Sequence, residues 1–390
     1  MRKIAFVVST TLMASFGYAD TSIDKFMDES NTQLNLRYRF EAVDQEGFNS
    51  ESAANSLRTR LSFNSGVVSG LQLGLEFDDV RHIGDDRFNS TSNGKTAYPV
   101  VADPDVTDLN QLFVKFKAEN LTATAGRQRI NLDDQRFIGG VAWRQNEQTY
   151  DGLRMQYDHG DLSADYSYVA QVNRIFGPTG DSATLDGDLH LLNANWNITA
   201  EHAITGFYYD MDFEDSASLS NTTLGLRYLA KFKPLTLTAS VASQSETGAA
   251  SINYTALYYL IEAKGNLAMV KWSAGYEVLG SDDGMKAFQT PLATAHKFQG
   301  FADKFLSTPA TGIEDMYIGL GTALGPVNLS LTYHDFNAEE GSNHHGSEWD
   351  LAASYPITKN LNALLKFADY QADDHGTDTQ KLWLQLQLSL

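Results

Sequence analysis

The chain has 390 residues, 42% of them hydrophobic and 20% charged, with 30 glycines, 8 prolines and no cysteine. Its 29 Lys and Arg against 49 Asp and Glu give a formal charge of −20, the wrong sign for gripping phosphates, so nucleic acid is excluded as a partner. The lack of cysteine removes disulfide frameworks, thiolate zinc sites, iron–sulfur clusters and cysteine nucleophiles together.

At the N-terminus, Arg2 and Lys3 precede a mostly apolar stretch from Ile4 to Phe16, followed by Gly17-Tyr18-Ala19. A positive start, a short apolar core and a small-x-small exit predict a secretory signal peptide over residues 1–19, leaving 20–390 as one exported domain. No later apolar run approaches the roughly 20 residues that a membrane-spanning helix needs. From Thr32 to the last residue the dominant signal is alternation. Leu34, Leu36, Tyr38 and Phe40 share one parity and Asn35, Arg37, Arg39 and Glu41 the other, which is the period of a strand with one apolar face. The pattern returns in Leu71, Leu73, Leu75 and Phe77, in Leu162, Ala164, Tyr166 and Tyr168, and in Leu235, Leu237, Ala239 and Val241. It closes the chain at Leu382, Leu384, Leu386, Leu388 and Leu390.

Segments of about 9–11 residues, the length of a tilted membrane strand, are predicted at 32–42, 54–64, 71–81, 109–117, 121–129, 149–157, 161–172, 188–197 and 203–212. They continue at 221–229, 235–243, 253–263, 267–279, 314–323, 327–336, 347–355, 361–370 and 380–390, an even total of eighteen, with weak alternation at 203–212 and 253–263. Connections alternate between short turns, such as Ala118–Asn120 and Leu324–Pro326, and long polar loops at 82–108, 130–148, 173–187 and 280–313. Short turns on one rim and long loops on the other define an all-β transmembrane antiparallel barrel of about 18 strands, in the outer membrane of a Gram-negative bacterium. Tyr38, Phe40, Tyr166, Tyr168, Tyr228, Trp272, Tyr333 and Trp349 suit interfacial girdles. Membrane lipid and lipopolysaccharide are the partners such a barrel implies. The longest loop carries Phe288, Phe298, Phe301 and Phe305 and is expected to pack over or into the extracellular mouth.

In such a barrel the polar parity lines the lumen. Arg37, Arg39, Arg58 and Arg60 take that parity on two neighbouring strands, joined elsewhere by Lys115, Arg154, Arg227 and Lys366. On the lipid side each charge would cost about 2–4 kcal/mol at the midplane. Two readings stand: the cations pair with inward Glu41, Glu76, Asp78, Glu277, Glu348 and Asp350 to stiffen the lumen, or they form an anion-handling constriction. The acidic excess, including Asp79, Asp85, Asp86, Asp103, Asp105, Asp282, Asp283, Glu339 and Glu340, is read as loop charge. It offers at most a loop-bound calcium, and no EF-hand spacing is present. His344-His345 is read as polar surface. G-x-S-x-G, Walker, H-E-x-x-H and G-x-G-x-x-G patterns are absent, so the chain is read as a non-enzyme without a resident cofactor, with His334 near Thr332 the one faint candidate.

Two stretches carry a family likeness. Gly126-Arg127-Gln128-Arg129-Ile130-Asn131, continued by Asp134-Gln135-Arg136-Phe137-Ile138-Gly139-Gly140, Trp143-Arg144-Gln145 and Tyr150-Asp151-Gly152, resembles the signature of the alginate-export family of outer-membrane porins. Gly280-Ser281-Asp282-Asp283-Gly284, with Phe288 to Thr294 and His296 to Phe305, resembles that family's long loop. The resemblance implies a monomeric eighteen-stranded channel that passes a polyuronate through an arginine-rich constriction, and it adds Arg127, Arg129, Arg136 and Arg144 to the candidates. Arg127 continues the lipid-side phase of Leu121, Ala123 and Ala125, so a bulge at Gly126 is needed to turn it inward. The chain is short for a polymer exporter, and it ends in Leu390 where terminal barrel strands usually end in an aromatic residue. The leading function is a passive porin for anionic solutes such as uronate-containing oligosaccharides. The alternatives are a general porin for small neutral sugars or other nutrients, and a barrel enzyme or adhesin.

Overall fold

The computed structural model describes residues 19–390. The expected signal peptide therefore lies, but for its last residue, outside the described residues. Helix α1 (Ala19–Asp28) leads into the barrel, and the backbone N–H of Gly66 in the first short turn donates to the Phe26 carbonyl at 2.9 Å.

The barrel strands are β1 (Asn31–Gln45), β2 (Ser52–Asn64), β3 (Leu71–His82), β4 (Val106–Ala118), β5 (Leu121–Gln128), β6 (Thr149–His159), β7 (Leu162–Asn173), β8 (Thr184–Asn197) and β9 (His202–Phe213). They continue with β10 (Asn221–Phe232), β11 (Leu235–Glu246), β12 (Thr255–Leu267) and β13 (Val270–Leu279). A short ribbon, β14 (Ser281–Asp282) with β15 (Lys286–Ala287), interrupts the series before β16 (Ile313–Leu324), β17 (Val327–Asn337), β18 (His344–Pro356), β19 (Leu361–Ala372) and β20 (Thr379–Ser389). Each barrel strand pairs antiparallel with its neighbours in the chain, and β1 also pairs with β20 from Asn35↔Ser389 to Gln45↔Thr379. The eighteen-stranded sheet is thus closed and leaves no edge. All eighteen predicted segments are present, with ends displaced by at most about four residues.

The side-chain phase follows the alternation. On β1, Arg37, Arg39 and Glu41 are buried inside, while Leu36, Tyr38 and Phe40 lie on the other face. Leu224, Leu226, Ile261, Met316, Ile318 and Leu320 are exposed on the outer wall, where lipid covers them.

The inner wall departs from the expectation of a polar lumen. Between β8 and β12 it carries Leu189, Leu191, Phe207, Tyr209, Met211, Tyr258 and Leu260, all buried in one cluster with Ile130, Ile138, Phe288 and Leu292. These last four belong to loops 129–148 and 280–312, which fold into the barrel, the longer one being the loop expected to pack over or into the mouth. Strands 203–212 and 253–263 alternate weakly for this reason: one face meets lipid and the other meets an apolar plug.

The two loops are stitched together by a parallel bridge between Ile138 and Leu292. The Gly139 N–H donates to the Leu292 carbonyl at 2.9 Å, and the Thr294 N–H to the Gln135 carbonyl at 3.1 Å. Loop 83–105 turns inward as well. Phe88 and Val101 pack on Val43 and Ala54, and Ala53 bridges Arg87. Asp103, read from sequence as solvated loop charge, is consequently buried beside Arg39 and Arg144.

Candidate functional site

The candidate site is the seam where the plug meets the basic wall of β1 and β2. Antiparallel register sets Arg37 directly opposite Arg58 and Arg39 opposite Ser56, so three guanidinium groups share a small area of inner wall. They are nearly closed off, with Arg37 9%, Arg39 1% and Arg58 2% exposed. What covers Arg37 and Arg39 is the backbone of residues 142–144. Arg37 Nη1 donates toward the carbonyls of Ala142 (3.1 Å), Trp143 (3.4 Å) and Arg144 (3.2 Å). Arg39 Nη2 donates to the Trp143 carbonyl at 2.6 Å, and its guanidinium lies 4.0 Å over the Trp143 ring. Arg58 donates once, to Asn35 Oδ1 at 2.7 Å, and its Nε and Nη1 have no partner. Among the described residues no carboxylate lies within 4 Å of Arg37 or Arg58, and the one near Arg39 is Asp103 at 3.7 Å.

Most of the other candidates are neutralised. Arg60 meets Asp78 at 2.5 Å, Glu147 at 3.3 Å and Glu76 at 3.4 Å. Arg129 joins the same knot through Glu76 and Glu147. A bulge in β4 aims Asn110 into it, donating to both glutamates. Arg154 forks onto Asp165 and Arg227 pairs with Asp134. Arg136, carried inward by its loop, is fully buried, 2.7 Å from Glu277 and stacked 4.8 Å over Phe298. Arg144 spans Glu41 (3.1 Å) and Asp303 (3.2 Å). Burial works against its charge, but Glu41, Asp103 and Asp303 more than offset that and hold its pKa above the ordinary value. Lys115 faces inward low on β4, 5.3 Å from the Phe113 ring.

Arg127 departs from the expected inward aim. The β4–β5 ladder runs without a register shift from Ala118↔Leu121 to Leu112↔Arg127, so Arg127 shares the outer face with exposed Leu112. Gly126 does take a positive φ of 114°, yet no extra residue is inserted there and the phase is kept. Arg127 instead forks onto Asp151 at 2.8 and 3.0 Å, directly across β6, in an outer polar row toward the long-loop rim.

A nearby stretch of wall on β18, separated from β1 by β19 and β20 around the barrel, is acidic and holds the second plug loop. The Ala302 N–H donates to Glu348 Oε1 at 2.7 Å, and the Phe301 N–H to both oxygens of Asp350 at 3.0 and 3.2 Å. Gly300 is required by this closeness, since a Cβ there would fall 2.3 Å from Glu348. His334 pairs with Asp315 at 2.9 Å, which accounts for it as an acid-wall partner.

Between the walls, His296 stacks on Trp143 with centroids 4.5 Å apart. Its Nδ1 meets Asp303 at 2.7 Å and its Nε2 meets Lys366 Nζ at 2.7 Å. Burial, aided by Lys366 and Arg144, pushes the imidazole down to about 3 against the pull of Asp303. The ring is therefore neutral near pH 7, donating from Nδ1 and accepting Lys366 at Nε2. Asp303 also takes Lys381 at 2.9 Å; burial raises its carboxyl, but His296, Lys381 and Arg144 hold it well below the usual range. Sequence reading missed His296, Asp303 and Lys381 as lumen residues. The parity that Lys381 shares with Trp383 and Gln385 was the available signal.

Two cavities border the plug. On the long-loop side a vestibule of about 660 Å³ is lined by Arg144, Arg174, Lys304 and Lys381 around the single carboxylate of Asp303, with Phe48 and Phe176 among its apolar walls. On the short-turn side a cavity of about 290 Å³ carries Asp134, Glu262, Glu277, Asp315 and Asp350 with Arg227, Lys264 and Lys297. Among the described residues no group of three or more His, Asp or Glu could hold a metal ion, and His344 is paired with Asp335 and Asp373.

Solved structures share this architecture. OccK3 (OpdO) of Pseudomonas aeruginosa superposes with a TM-score of 0.72 at 13% identity, over 96% of this chain and 99% of that one. OccAB4 of Acinetobacter baumannii gives 0.72 at 14% over 93% and 98%, and the outer membrane protein opdK of P. aeruginosa 0.71 at 15% over 94% and 99%. At such identities the likeness establishes the barrel fold alone. No curated protein matches the chain in sequence. The family model described as alginate export does match, over residues 28–259, which spans more than half of the chain and includes the Gly126–Gly152 motif and the whole basic wall, and the chain therefore belongs to the alginate-export family.

Proposed function

We propose that the protein is a passive outer-membrane channel for anionic solutes, with uronate-containing oligosaccharides as the class its lumen fits. The observation that carries this reading is the pair Arg37 and Arg58, opposed on the inner wall with no carboxylate within ion-pair distance. A guanidinium fork suits a carboxylate and stays charged at every relevant pH. The vestibule above, with four cations around one carboxylate, would concentrate anions before they reach that wall. Segment 1–19 would direct export, and a single barrel would serve as the working unit, in contact with lipid and lipopolysaccharide.

The neutralised knots of Arg60, Arg129, Arg136 and Arg144 favour a second reading, a general porin for small neutral sugars in which lumen charge only stiffens the wall. A reversal-potential measurement in a salt gradient across a planar bilayer separates the two. Anion preference is expected; a cation-preferring wild-type channel would reject the anionic reading and favour the general porin.

A further inference from the structure

The basic wall is hidden by backbone, and the manner of its hiding is unusual. Arg37 Nη1 carries two hydrogens but faces three carbonyl oxygens within 3.4 Å, so at most two of these bonds are made fully. Arg58 beside it leaves two donors unused in a buried setting. Two opposed cations with only neutral acceptors form an uncompensated buried charge, an arrangement that costs stability until a counter-charge arrives. The covering segment is also strained at its start. Val141 has a φ of 50°, a left-handed conformation that a β-branched residue seldom adopts. Its far end is fixed, because Arg144 is held by Glu41 and Asp303 and the Gln145 N–H donates to Asp103 at 2.8 Å.

We propose that Val141–Trp143 is a gate, flexing at Val141, tethered at Arg144 and closed over Arg37 and Arg39, which a carboxylated solute opens by taking those two guanidinium groups from the gate's carbonyl oxygens. A peptide carbonyl offers a guanidinium one neutral acceptor, whereas a carboxylate brings a full opposite charge and accepts two parallel bonds from the fork, so a carboxylate outcompetes the carbonyl for the same donor. The solute binds only when the arginines are uncovered, and that difference in affinity between the two states shifts the population toward the open one. Trp143 makes the gate matter for flux. Its ring is packed on His296, which lines the vestibule, under Arg39 and 4.2 Å from Lys366.

The gate rests on the anionic reading given above, so its test uses a different readout. Proteoliposomes are challenged with neutral L-arabinose, and swelling is followed with and without millimolar glucuronate. The gate predicts that glucuronate accelerates arabinose uptake at least twofold while glucose does not. Arg37→Gln should raise basal uptake and abolish the response. Trp143→Ala, a loop substitution that leaves the barrel ladder untouched, should do the same in part. Glucuronate that leaves arabinose flux unchanged or slows it would overturn the gate. The same preparation measured in a salt gradient shows whether anion preference survives, which separates failure of the gate from failure of the anionic reading.

Discussion

The two faces of the constriction solve opposite electrostatic problems with the same plug. On the wall of β1 and β2 the plug offers backbone carbonyls, from Ala142 to Arg144, to Arg37 and Arg39. On the wall of β18 it offers backbone N–H groups, from Phe301 and Ala302, to Asp350 and Glu348. Further along the acidic wall the carboxylates gain cations, Glu277 from Arg136 and Asp315 from His334, while on β18 Glu348 relies on the Ala302 N–H. Arg37 and Arg58 have no carboxylate within 4 Å among the described residues. The difference implies that loop 280–312 is anchored and that the seam at Ala142–Trp143 is the weaker side.

The largest effect is expected from breaking the anchored side. Asp350→Ala removes the acceptor of the Phe301 N–H and should loosen the plug by about 1.5–3 kcal/mol, the usual worth of a hydrogen bond to a charged group. Single-channel traces should then show higher conductance and more open-channel noise. A quiet trace of unchanged amplitude would mean that the plug is held elsewhere.

A smaller effect is expected at the weak side. The double variant Arg37→Gln with Arg58→Gln removes the two cations that lack counter-charge, and should shift the anion-to-cation permeability ratio by on the order of tenfold, the low end of local-field effects on ion concentration. Arg60→Gln is the informative control. Because Arg60 already neutralises Asp78, Glu76 and Glu147, its loss frees carboxylates that now face the lumen, and any shift from it reports those acids. If the double variant leaves the reversal potential unmoved, the basic wall does not set selectivity.

The smallest effect concerns pH. His296 is held near 3, first by burial and then by Lys366 and Arg144, against an ordinary value of 6.5. The packed state, with a neutral His296 between Asp303 and Lys366, is therefore fully favoured above about pH 6.5. As pH falls from there toward 3, a loosened plug takes up a proton that the packed one refuses, and the packing of His296 weakens. Open-channel noise should rise modestly between pH 6.5 and 4.5, and His296→Gln should flatten that dependence. A wild-type channel that quietens on acidification would contradict the neutral assignment.

Alternation of period two determined the barrel from the sequence alone, because lipid on one side and a lumen on the other demand opposite chemistry at successive residues of β1, β2, β11 and β20. The same parity placed Arg37, Arg39, Arg58 and Lys366 inside and set Arg127 on the outer phase. It carried no information on where loops 129–148 and 280–312 go, since a loop has no period and its fate depends on what it meets across the lumen. Only the tertiary structure brought Trp143 onto Arg39, buried Asp103 with Arg144, and joined His296 and Asp303 to Lys366 and Lys381. The partners in those contacts come from distant parts of the chain, and no local pattern encodes them. They exist because closing the eighteen-stranded sheet leaves an interior that the inward loops fill, setting carbonyls against arginines and amides against carboxylates.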